Sequence, residues 1–259
     1  MNLTDVTPLV ITYNEEANIA RTLAAISWAQ RIVVVDSGST DKTLAILQAA
    51  PNVEVHTRPF DNFASQCGFG LAFIQTAYAL SLDADHVMTP ELVKEIAGID
   101  PQDVAGWEAP FTYCIDGRPL RASLLPPRLV LFRTTSGAYE NDGHAHRAVV
   151  SGRTERLRNP LRHDDRKPLS RWLAAQSKYL RQEAEKLTTT SWSALRWPDR
   201  LRRLYLGPLL VLPYCLLVKG LLLDGRRGIY YSLQRLYAEG LLALRLAGGG
   251  GKKKSAVNL

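Results

Sequence analysis

The stretch Ala79-Leu80-Ser81-Leu82-Asp83-Ala84-Asp85 is an apolar run that ends in two carboxylates. A short apolar run followed directly by polar residues is typical of a buried strand. Two carboxylates one residue apart at a strand end can point into a cleft. There their oxygens can hold Mg²⁺ or Mn²⁺ and leave coordination positions for phosphate groups. We therefore expect a metal site built on Asp83 and Asp85.

Two earlier apolar runs, residues 7–12 and 32–35, also end in polar residues. The first leads into Thr12-Tyr13-Asn14-Glu15 and the second into Asp36-Ser37-Gly38. Helical patterns separate these strands, and that alternation favours a parallel sheet with right-handed crossovers. Because ligands bind beyond the carboxyl ends of such strands, the three polar clusters should meet at one edge. The other predicted strands are 53–56, 107–113 and 128–133, and the predicted helices are 15–28, 40–50, 63–78, one that begins at Pro90, and 170–187.

The chain has 259 residues, of which 46% are hydrophobic and 22% charged, as expected for a globular protein with one sizeable α/β domain and a C-terminal appendage. The three cysteines (Cys67, Cys114 and Cys215) form no CxxC pair and no zinc-binding spacing, which favours buried thiols in a reducing compartment. The first residues lack the pattern of a secretory signal. Neither GxGxxG nor GxxxxGK[ST] occurs, so dinucleotide and P-loop sites are disfavoured.

Charge divides the chain into an acidic and a basic half. Residues 1–120 hold 6 Lys/Arg and 15 Asp/Glu, whereas residues 121–259 hold 26 and 10, for a net charge of +7. Acidic side chains suit metal binding. A basic half suits an anionic partner such as a phosphorylated substrate, an anionic lipid or a nucleic acid. The basic residues lack interleaved aromatic side chains and any known nucleic-acid-binding module, so nucleic acid is not expected to be the partner.

Residues 204–223 (LYLGPLLVLPYCLLVKGLLL) are the most apolar part of the chain and are about long enough to span a bilayer. Two prolines, two glycines and a lysine interrupt them, and arginines lie on both sides. This composition favours a segment that lies in the surface of an anionic leaflet. A spanning helix and a buried or oligomeric helix pair are the alternatives. The tail from residue 248 is rich in Gly and Lys, which predicts disorder.

Taken together, residues 10–16 (VITYNEE), 33–43 (VVVDSGSTDKT) and 80–85 (LSLDAD) resemble the three signature segments of glycosyltransferase family 2, in the family's order. The resemblance covers roughly residues 5–165. Residues 224–228 (DGRRG) after the apolar segment are similar to the C-terminal region of the lipopolysaccharide-core β-glycosyltransferase branch, which is a looser match.

This resemblance implies a GT-A fold, with a mostly parallel sheet flanked by helices and a helical, membrane-associating extension. It also implies a UDP-sugar or similar donor, Mg²⁺ or Mn²⁺, and inversion at the anomeric carbon. Carried over by position, Thr12, Tyr13 and Glu15 would line the nucleoside, and Asp36 would contact the base. Asp83 would lie near the ribose and the metal, and Asp85 would coordinate the metal. The loop around Asp36 could alternatively serve only to cap the following helix.

The general base is expected within residues 139–147 (YENDGHAHR), where relatives often have His-Glu. Here His146 is followed by Arg147, so the expected carboxylate is missing. Asp142 is the first choice for this role, and Glu140 and His146 are the alternatives. A second departure lies before the third signature segment, where Cys67 and Gly68 replace a basic residue and Asn. His163 lies where a later histidine completes the metal shell in GT-A enzymes, or it is a surface histidine beside two acids.

The leading hypothesis is an inverting transferase of the hexosyltransferase type. It would move a sugar to a lipopolysaccharide-core or other anionic cell-envelope glycan, at the cytoplasmic face of the plasma membrane. A polyprenyl-phosphate glycosyltransferase, or a membrane-associated nucleotide-binding protein without turnover, would also fit. The predicted organisation is a catalytic domain over 1–165, a basic helical region over 166–247, and the tail 248–259.

Overall fold

The computed structural model describes residues 1–142 and 145–248. It contains two compact units, Met1–Lys167 and Pro168–Leu259. The division at 165 and 247 that the sequence suggested stays a prediction. Most of the predicted disordered tail, residues 249–259, lies outside the described residues.

Strands dominate the first unit. They are β1 (Val6–Thr12), β2 (Ile32–Asp36), β3 (Val53–Thr57), β4 (Tyr78–Asp83), β5 (His86–Val87), β6 (Val104–Ala109), β7 (Phe111–Ile115), β8 (Arg118–Pro119), β9 (Arg128–Arg133), β10 (Gly137–Asp142), β11 (Ala145–Val150), β12 (Arg153–Arg156) and β13 (Leu161–His163).

The central sheet has seven strands in the order β12-β6-β9-β4-β1-β2-β3. The pairs that join β4, β1, β2 and β3 are parallel, as the alternation of strands and helices predicted. Strand β9 runs antiparallel to both of its neighbours, whereas β12 and β6 pair in parallel, so the sheet is mixed but mostly parallel, as predicted. A four-stranded sheet, β5-β13-β7-β8, and the β10-β11 hairpin complete the unit.

The predicted strand 107–113 is two strands, because Pro110 separates β6 from β7 and the two belong to different sheets. Proline has no N–H to continue a ladder, so a strand is readily interrupted there.

Helices cover the first unit's sheet and form the second unit. They are α1 (Ile19–Ala25), α2 (Thr43–Gln48), α3 (Phe63–Leu71), α4 (Pro90–Ala97), α5 (Leu169–Thr189), α6 (Trp197–Arg203), α7 (Gly207–Pro213) and α8 (Arg226–Ala247). The start of α4 was predicted correctly, since Thr89 Oγ1 accepts a hydrogen bond from the Leu92 N–H at 3.1 Å. Helices α1 and α3 are shorter than predicted.

Both faces of the central strands are buried, as is usual for the parallel part of a sheet covered by helices. Every residue of β2 is buried. Val10 and Val34 pack into the larger core cluster on one face, and Leu9 and Val35 into a second cluster on the other face. Such a sheet holds the ends of its strands rigidly.

The second unit packs α5 and α8 around Leu187, Leu195 and Leu242. A buried ion pair joins α6 to α8, with Arg202 Nη2 2.8 Å from Glu239 Oε1. Among the described residues, no helix is both long enough and apolar enough to cross a bilayer.

Helix α3 approaches β1 and β2 through Gly70, which allows a direct test of this packing. A Cβ at Gly70 would lie 2.4 Å from Leu9 Cδ1 and 2.7 Å from Val35 Cγ2. Both partners are fully buried and cannot move aside. We therefore expect Gly70→Ala to lower the free energy of unfolding by about 1–3 kcal/mol in urea titrations.

Gly68→Ala is the matched control, because nothing lies within 4 Å of the added methyl group. It should raise stability by about 0.5–1 kcal/mol, since alanine favours a helix over glycine. Equal effects of the two substitutions would contradict the close approach of α3 to the sheet.

Candidate functional site

The carboxyl ends of β1, β2 and β4 form one edge of the first unit, as the sequence predicted. In the parallel ladder Thr12 pairs with Asp36, and Ile11 pairs with Asp83. Thr12, Asp36 and Asp83 therefore lie in adjacent strands at the same level of the sheet.

Hydrogen bonds join the loop after β1 to the loop after β2. The Asn14 N–H donates to Ser39 Oγ at 2.8 Å, and Asn14 Oδ1 accepts from the Thr40 N–H at 2.8 Å. Asn14 has a φ of 54°, which asparagine tolerates better than most residues. The Glu15 N–H donates to Thr43 Oγ1 at 2.7 Å. The first two signature segments thus form one continuous, hydrogen-bonded rim.

Asp36 is completely buried, and its carboxylate is used by the loop that follows it. Oδ2 accepts from the N–H groups of Gly38 and Ser39 at 2.8 Å each, and Oδ1 accepts from Ser39 Oγ at 2.5 Å. These bonds stabilise the turn that follows β2, whereas α2 begins only at Thr43 and its N-cap residue makes no side-chain capping bond within the described part of the chain. The predicted contact between Asp36 and a base stays a prediction.

Asp85 lies in a cluster with two histidines. One ligand atom from each of Asp85, His86 and His163 lies within 4.8 Å of the others. Asp85 Oδ1 is 3.5 Å from His163 Nδ1 and 3.9 Å from His86 Nε2. Asp83 Oδ2 is 3.5 Å from His86 Nε2. The structure therefore brings together all three predicted metal ligands, Asp83, Asp85 and His163, and adds His86.

Strand pairing explains why His163 reaches this cluster. Strand β13 is antiparallel to β5, with His163 opposite His86, and parallel to β7, with His163 opposite Tyr113. The Asp164 N–H also donates to the Asp85 carbonyl at 2.9 Å. The backbone therefore fixes His163 beside residues that precede it by almost eighty positions.

His86 has a defined protonation pattern. Its Nδ1 accepts a hydrogen bond from the Asp83 N–H at 3.0 Å. Burial lowers the pKa of His86, although Asp83 and Asp85 oppose this, so the ring is neutral at pH 7. A neutral ring that accepts at Nδ1 carries its proton on Nε2, which faces the two carboxylates. His86 therefore presents an N–H group, and not a lone pair, to the side on which the two carboxylates lie.

The carboxylate of Asp85 is arranged as a metal ligand would be. Its Oδ1 is buried and has no hydrogen-bond partner among the described residues. A buried polar atom without a partner is costly unless a ligand satisfies it. Carboxylate oxygens suit Mg²⁺ and Mn²⁺ alike, whereas an imidazole ligand such as His163 suits Mn²⁺ better. The donor set fits a divalent cation.

Glu15 and Lys167 form an ion pair next to the cluster. Lys167 Nζ lies 2.6 Å from Glu15 Oε1 and 3.8 Å from Asp165 Oδ2. Asn18 Nδ2 donates to Glu15 Oε2 at 2.7 Å and to Asp165 Oδ1 at 2.9 Å. Burial raises the pKa of Glu15 to about 7, and the lowering effect of Lys167 only partly offsets it. The segment after β13 is thereby tied to the first signature segment.

The other predicted nucleotide-binding residues differ in exposure. Thr12 is buried, and its Oγ1 has no hydrogen-bond partner among the described residues. Tyr13 is 55% exposed and presents its ring to solvent. An accessible aromatic face beside an unsatisfied hydroxyl could receive a planar, polar group. Their assignment to a nucleoside stays a prediction.

The predicted general bases lie on the β10-β11 hairpin. Asp142 ends β10 and His146 lies in β11, but their side chains are outside the described part of the chain. Glu140 is exposed and pairs with Arg147 across the hairpin. The hairpin is attached to β4 through the Tyr139 hydroxyl, which donates to Ser81 Oγ at 2.9 Å. Ser81 precedes Asp83 by two residues, so the hairpin is anchored close to the cluster.

Sequence reasoning missed His86, Lys167 and Asn18. The position of His86 directly after Asp85 was the available signal, but a buried structural histidine fits that position equally well. Lys167 lies in a basic run that resembles a solvated surface. Its ion pair with the largely buried Glu15 carboxylate shows that Lys167 faces inward.

Comparison with known proteins agrees with this geometry. Residues 9–114 match the profile of Glycosyl transferase family 2. The resemblance seen in the sequence is confirmed. The match includes all three signature segments and covers about two fifths of the chain.

Two curated relatives are similar to part of this chain. One is the lipopolysaccharide core biosynthesis glycosyltransferase LpsC of Rhizobium meliloti (strain 1021), 27% identical over 150 residues that cover 54% of this chain and 55% of LpsC. The other is an uncharacterized glycosyltransferase of Rickettsia bellii (strain RML369-C), 33% identical over 92 residues, or 35% of this chain and 31% of the relative. The chain thus spans between a third and about half of the length of these relatives.

The fold is also found among solved structures. The mannosyltransferase PcManGT from Pyrobaculum calidifontis, solved in complex with GDP-Man and Mn²⁺, aligns with a TM-score of 0.54 and 14% identity over 95% of this chain and 88% of its own. At this identity the likeness shows the fold alone. The first compact unit therefore has a GT-A-like α/β fold with a mixed sheet flanked by helices.

Two substitutions separate the two contacts of His86. His86→Gln keeps an N–H donor near the position of Nε2, whereas His86→Asn keeps an acceptor near the position of Nδ1. If the Nε2 proton orients Asp83 and Asp85, the asparagine variant should weaken Mn²⁺ binding by about ten-fold or more, and the glutamine variant much less. Calorimetric titration with Mn²⁺ measures both. A similar loss in both variants would show that the imidazole itself is a ligand.

The Glu15–Lys167 pair predicts an unusual titration. Carboxyl NMR should show Glu15 titrating near pH 7, and Lys167→Met should raise its pKa further, because the ammonium group is what lowers it. The folded state then holds a proton that the unfolded state loses, so Glu15 makes stability fall as pH rises from about 4.5 to 7. Lys42→Met, at an exposed lysine, is the control and should leave the titration unchanged. A Glu15 pKa near 4.5 would contradict the burial of this carboxyl.

Proposed function

We propose that the chain is an inverting, metal-dependent hexosyltransferase that moves a sugar from a UDP-sugar to a lipopolysaccharide-core or other cell-envelope glycan. The observation that carries the proposal is the buried, unsatisfied Oδ1 of Asp85, which lies in a cluster with His86 and His163 and has Asp83 beside His86. The family 2 match over residues 9–114, which include Asp83 and Asp85, supports it, as does the similarity to LpsC, whose name places it in lipopolysaccharide core biosynthesis.

In this mechanism Asp83, Asp85 and His163 would hold Mn²⁺ or Mg²⁺, which neutralises the charge of a departing diphosphate. Thr12, Tyr13, Glu15 and Asp36 would bind the nucleoside. Asp142, or His146 or Glu140 in its place, would remove the proton of the acceptor hydroxyl as it attacks the anomeric carbon. Because this is a single in-line displacement, the configuration of the anomeric carbon inverts.

The acceptor would be an anionic glycolipid met at the inner face of the plasma membrane. The excess of Lys and Arg in residues 121–259 supports an anionic partner. A cytoplasmic, peripheral location would give access both to a nucleotide-sugar and to a lipid-linked acceptor.

A polyprenyl-phosphate acceptor is the alternative that the exposed apolar segment favours. A nucleotide-binding protein without turnover is the alternative that the missing His-Glu pair favours. Analysis of the reaction product distinguishes a polyprenyl-phosphate acceptor from a lipopolysaccharide-core acceptor. Hydrolysis or transfer of the sugar from a bound UDP-sugar would exclude a nucleotide-binding protein without turnover.

Calorimetric binding of UDP with and without Mn²⁺ tests the donor site. We expect UDP to bind only in the presence of the metal. Asp85→Ala should weaken that binding by about a hundred-fold or more, because a carboxylate ligand of the metal is lost. Asp103→Ala is the control, since Asp103 is an exposed carboxylate of the same unit that forms an ion pair with Arg153 at 3.2 Å.

Wild-type binding of UDP that is indifferent to metal would contradict the metal-dependent site. Absence of UDP binding under both conditions would contradict the choice of UDP, and the same titration with GDP would then show whether the nucleotide or the site is wrong.

A further inference from the structure

The second unit exposes an unusually apolar surface. Of the twenty residues 204–223, which we call the apolar segment, nine large hydrophobic side chains are exposed to solvent. They are Leu204, Tyr205, Leu209, Leu210, Tyr214, Leu217, Val218, Leu222 and Leu223. Large contiguous apolar exposure of this kind marks an interaction site more often than a bare surface.

The apolar segment is held in place by its inward-facing residues. Cys215 and Leu221 are buried. Gly228, in the first turns of α8, lies so close to the Leu221 carbonyl that no Cβ would fit. Gly207, at the start of α7, packs in the same way against Glu239, the partner of Arg202. The outward leucines therefore belong to a fixed surface and have no place left in the core of this unit.

The backbone of the apolar segment doubles back on itself. Helix α7 ends at Pro213, one turn of π-helix covers Tyr214–Val218, and a 3₁₀ turn covers Leu221–Asp224. Gly220 has a φ of 67° and Gly225 a φ of 59°, which redirect the chain before α8. A compact, folded-back arrangement of short helical turns is suited to lying in a surface.

The residues at the borders of the apolar segment indicate which kind of surface it would contact. Lys219 is the sole charged residue of the apolar segment, and its ammonium group lies 5.5 Å from the centre of the Tyr214 ring. Arg196 and Trp197 precede the segment with highly exposed side chains, and Arg226 follows it. Tyr and Trp beside Arg and Lys, around an apolar centre, are what the boundary between lipid headgroups and acyl chains favours.

We propose that the apolar segment inserts into the surface of an anionic lipid leaflet, with Leu209, Leu217, Val218 and Leu223 in the acyl boundary and Arg196, Lys219 and Arg226 among the phosphates. A second copy of this chain would bury the leucines too, but it would gain nothing from the basic and aromatic border. The proposal does not depend on the transferase activity, since lipid binding is measured without donor or acceptor. It also names the surface at which the proposed acceptor would be met.

Vesicle flotation of the full chain tests the proposal. We expect binding to vesicles of phosphatidylethanolamine with phosphatidylglycerol, and much weaker binding to phosphatidylcholine alone or at high salt, because the basic border acts through screened charges. Leu217→Asp and Leu223→Asp should each weaken vesicle binding by about ten-fold or more, because each places a charge where an apolar side chain would enter the lipid.

Leu244→Asp is the matched control. Leu244 is 72% exposed on α8, against 70% for Leu217 and 71% for Leu223, and lies outside the apolar segment. It should bind vesicles within about two-fold of the wild type, which is less than the effect of burying one methylene group. All three variants should keep metal-dependent UDP binding, so failure of the membrane surface and failure of the donor site are distinguishable.

Equal binding by Leu217→Asp and Leu244→Asp, or no binding of the wild type to anionic vesicles, would overturn the proposal. Sedimentation velocity adds a second criterion. If the wild type is a dimer that Leu217→Asp converts to a monomer, a second copy covers the apolar segment and the lipid assignment is wrong.

Discussion

The short antiparallel pairing of β5 with β13 is the constraint on which the candidate site depends. It sets His163 opposite His86, and the next four residues, 164–167, hydrogen-bond to residues 15–21 in and after the first signature segment. Lys167 then pairs with Glu15, and Arg21 donates to the Asp164 carbonyl at 2.9 Å. A register shift of one residue would turn His163 to the opposite face and remove it from Asp85. The site is therefore a property of the sheet and not of one loop.

Several carboxylates lie close together at this edge of the sheet, although their charges repel one another. Glu15, Asp83 and Asp85 converge on one edge, and the neutral His86 supplies no positive charge. The raised pKa of Glu15 reflects mainly burial, with a smaller contribution from Asp85. Like charges brought together in this way cost stability. A divalent cation that binds only the folded state would offset that cost, so ligand binding and folding should be coupled.

The sequence contained enough to predict the convergence of β1, β2 and β4, because their apolar runs, terminal polar residues and intervening helices form a regular pattern. It did not reveal that β9 is antiparallel, since hydrophobic periodicity carries no strand direction. It could not reveal β5 or β13, which are two and three residues long and too short for any pattern. The candidate metal ligands could thus be named from the sequence. The tautomer of His86 and the inward position of Lys167 could not, because the first depends on the fold of the turn after β4 and the second on a contact between residues far apart in the chain.

The uneven distribution of charge follows from two different demands. A cation site needs acidic residues, and the first 120 residues supply 15 of them against 6 basic ones. An acidic protein would nevertheless be repelled by an anionic leaflet, because the surface potential of such a leaflet acts over about a Debye length. The arginines and lysines that flank the apolar segment would reverse that repulsion locally. Because the two sets of charges are concentrated in different halves of the sequence, no single stretch of chain has to meet both demands.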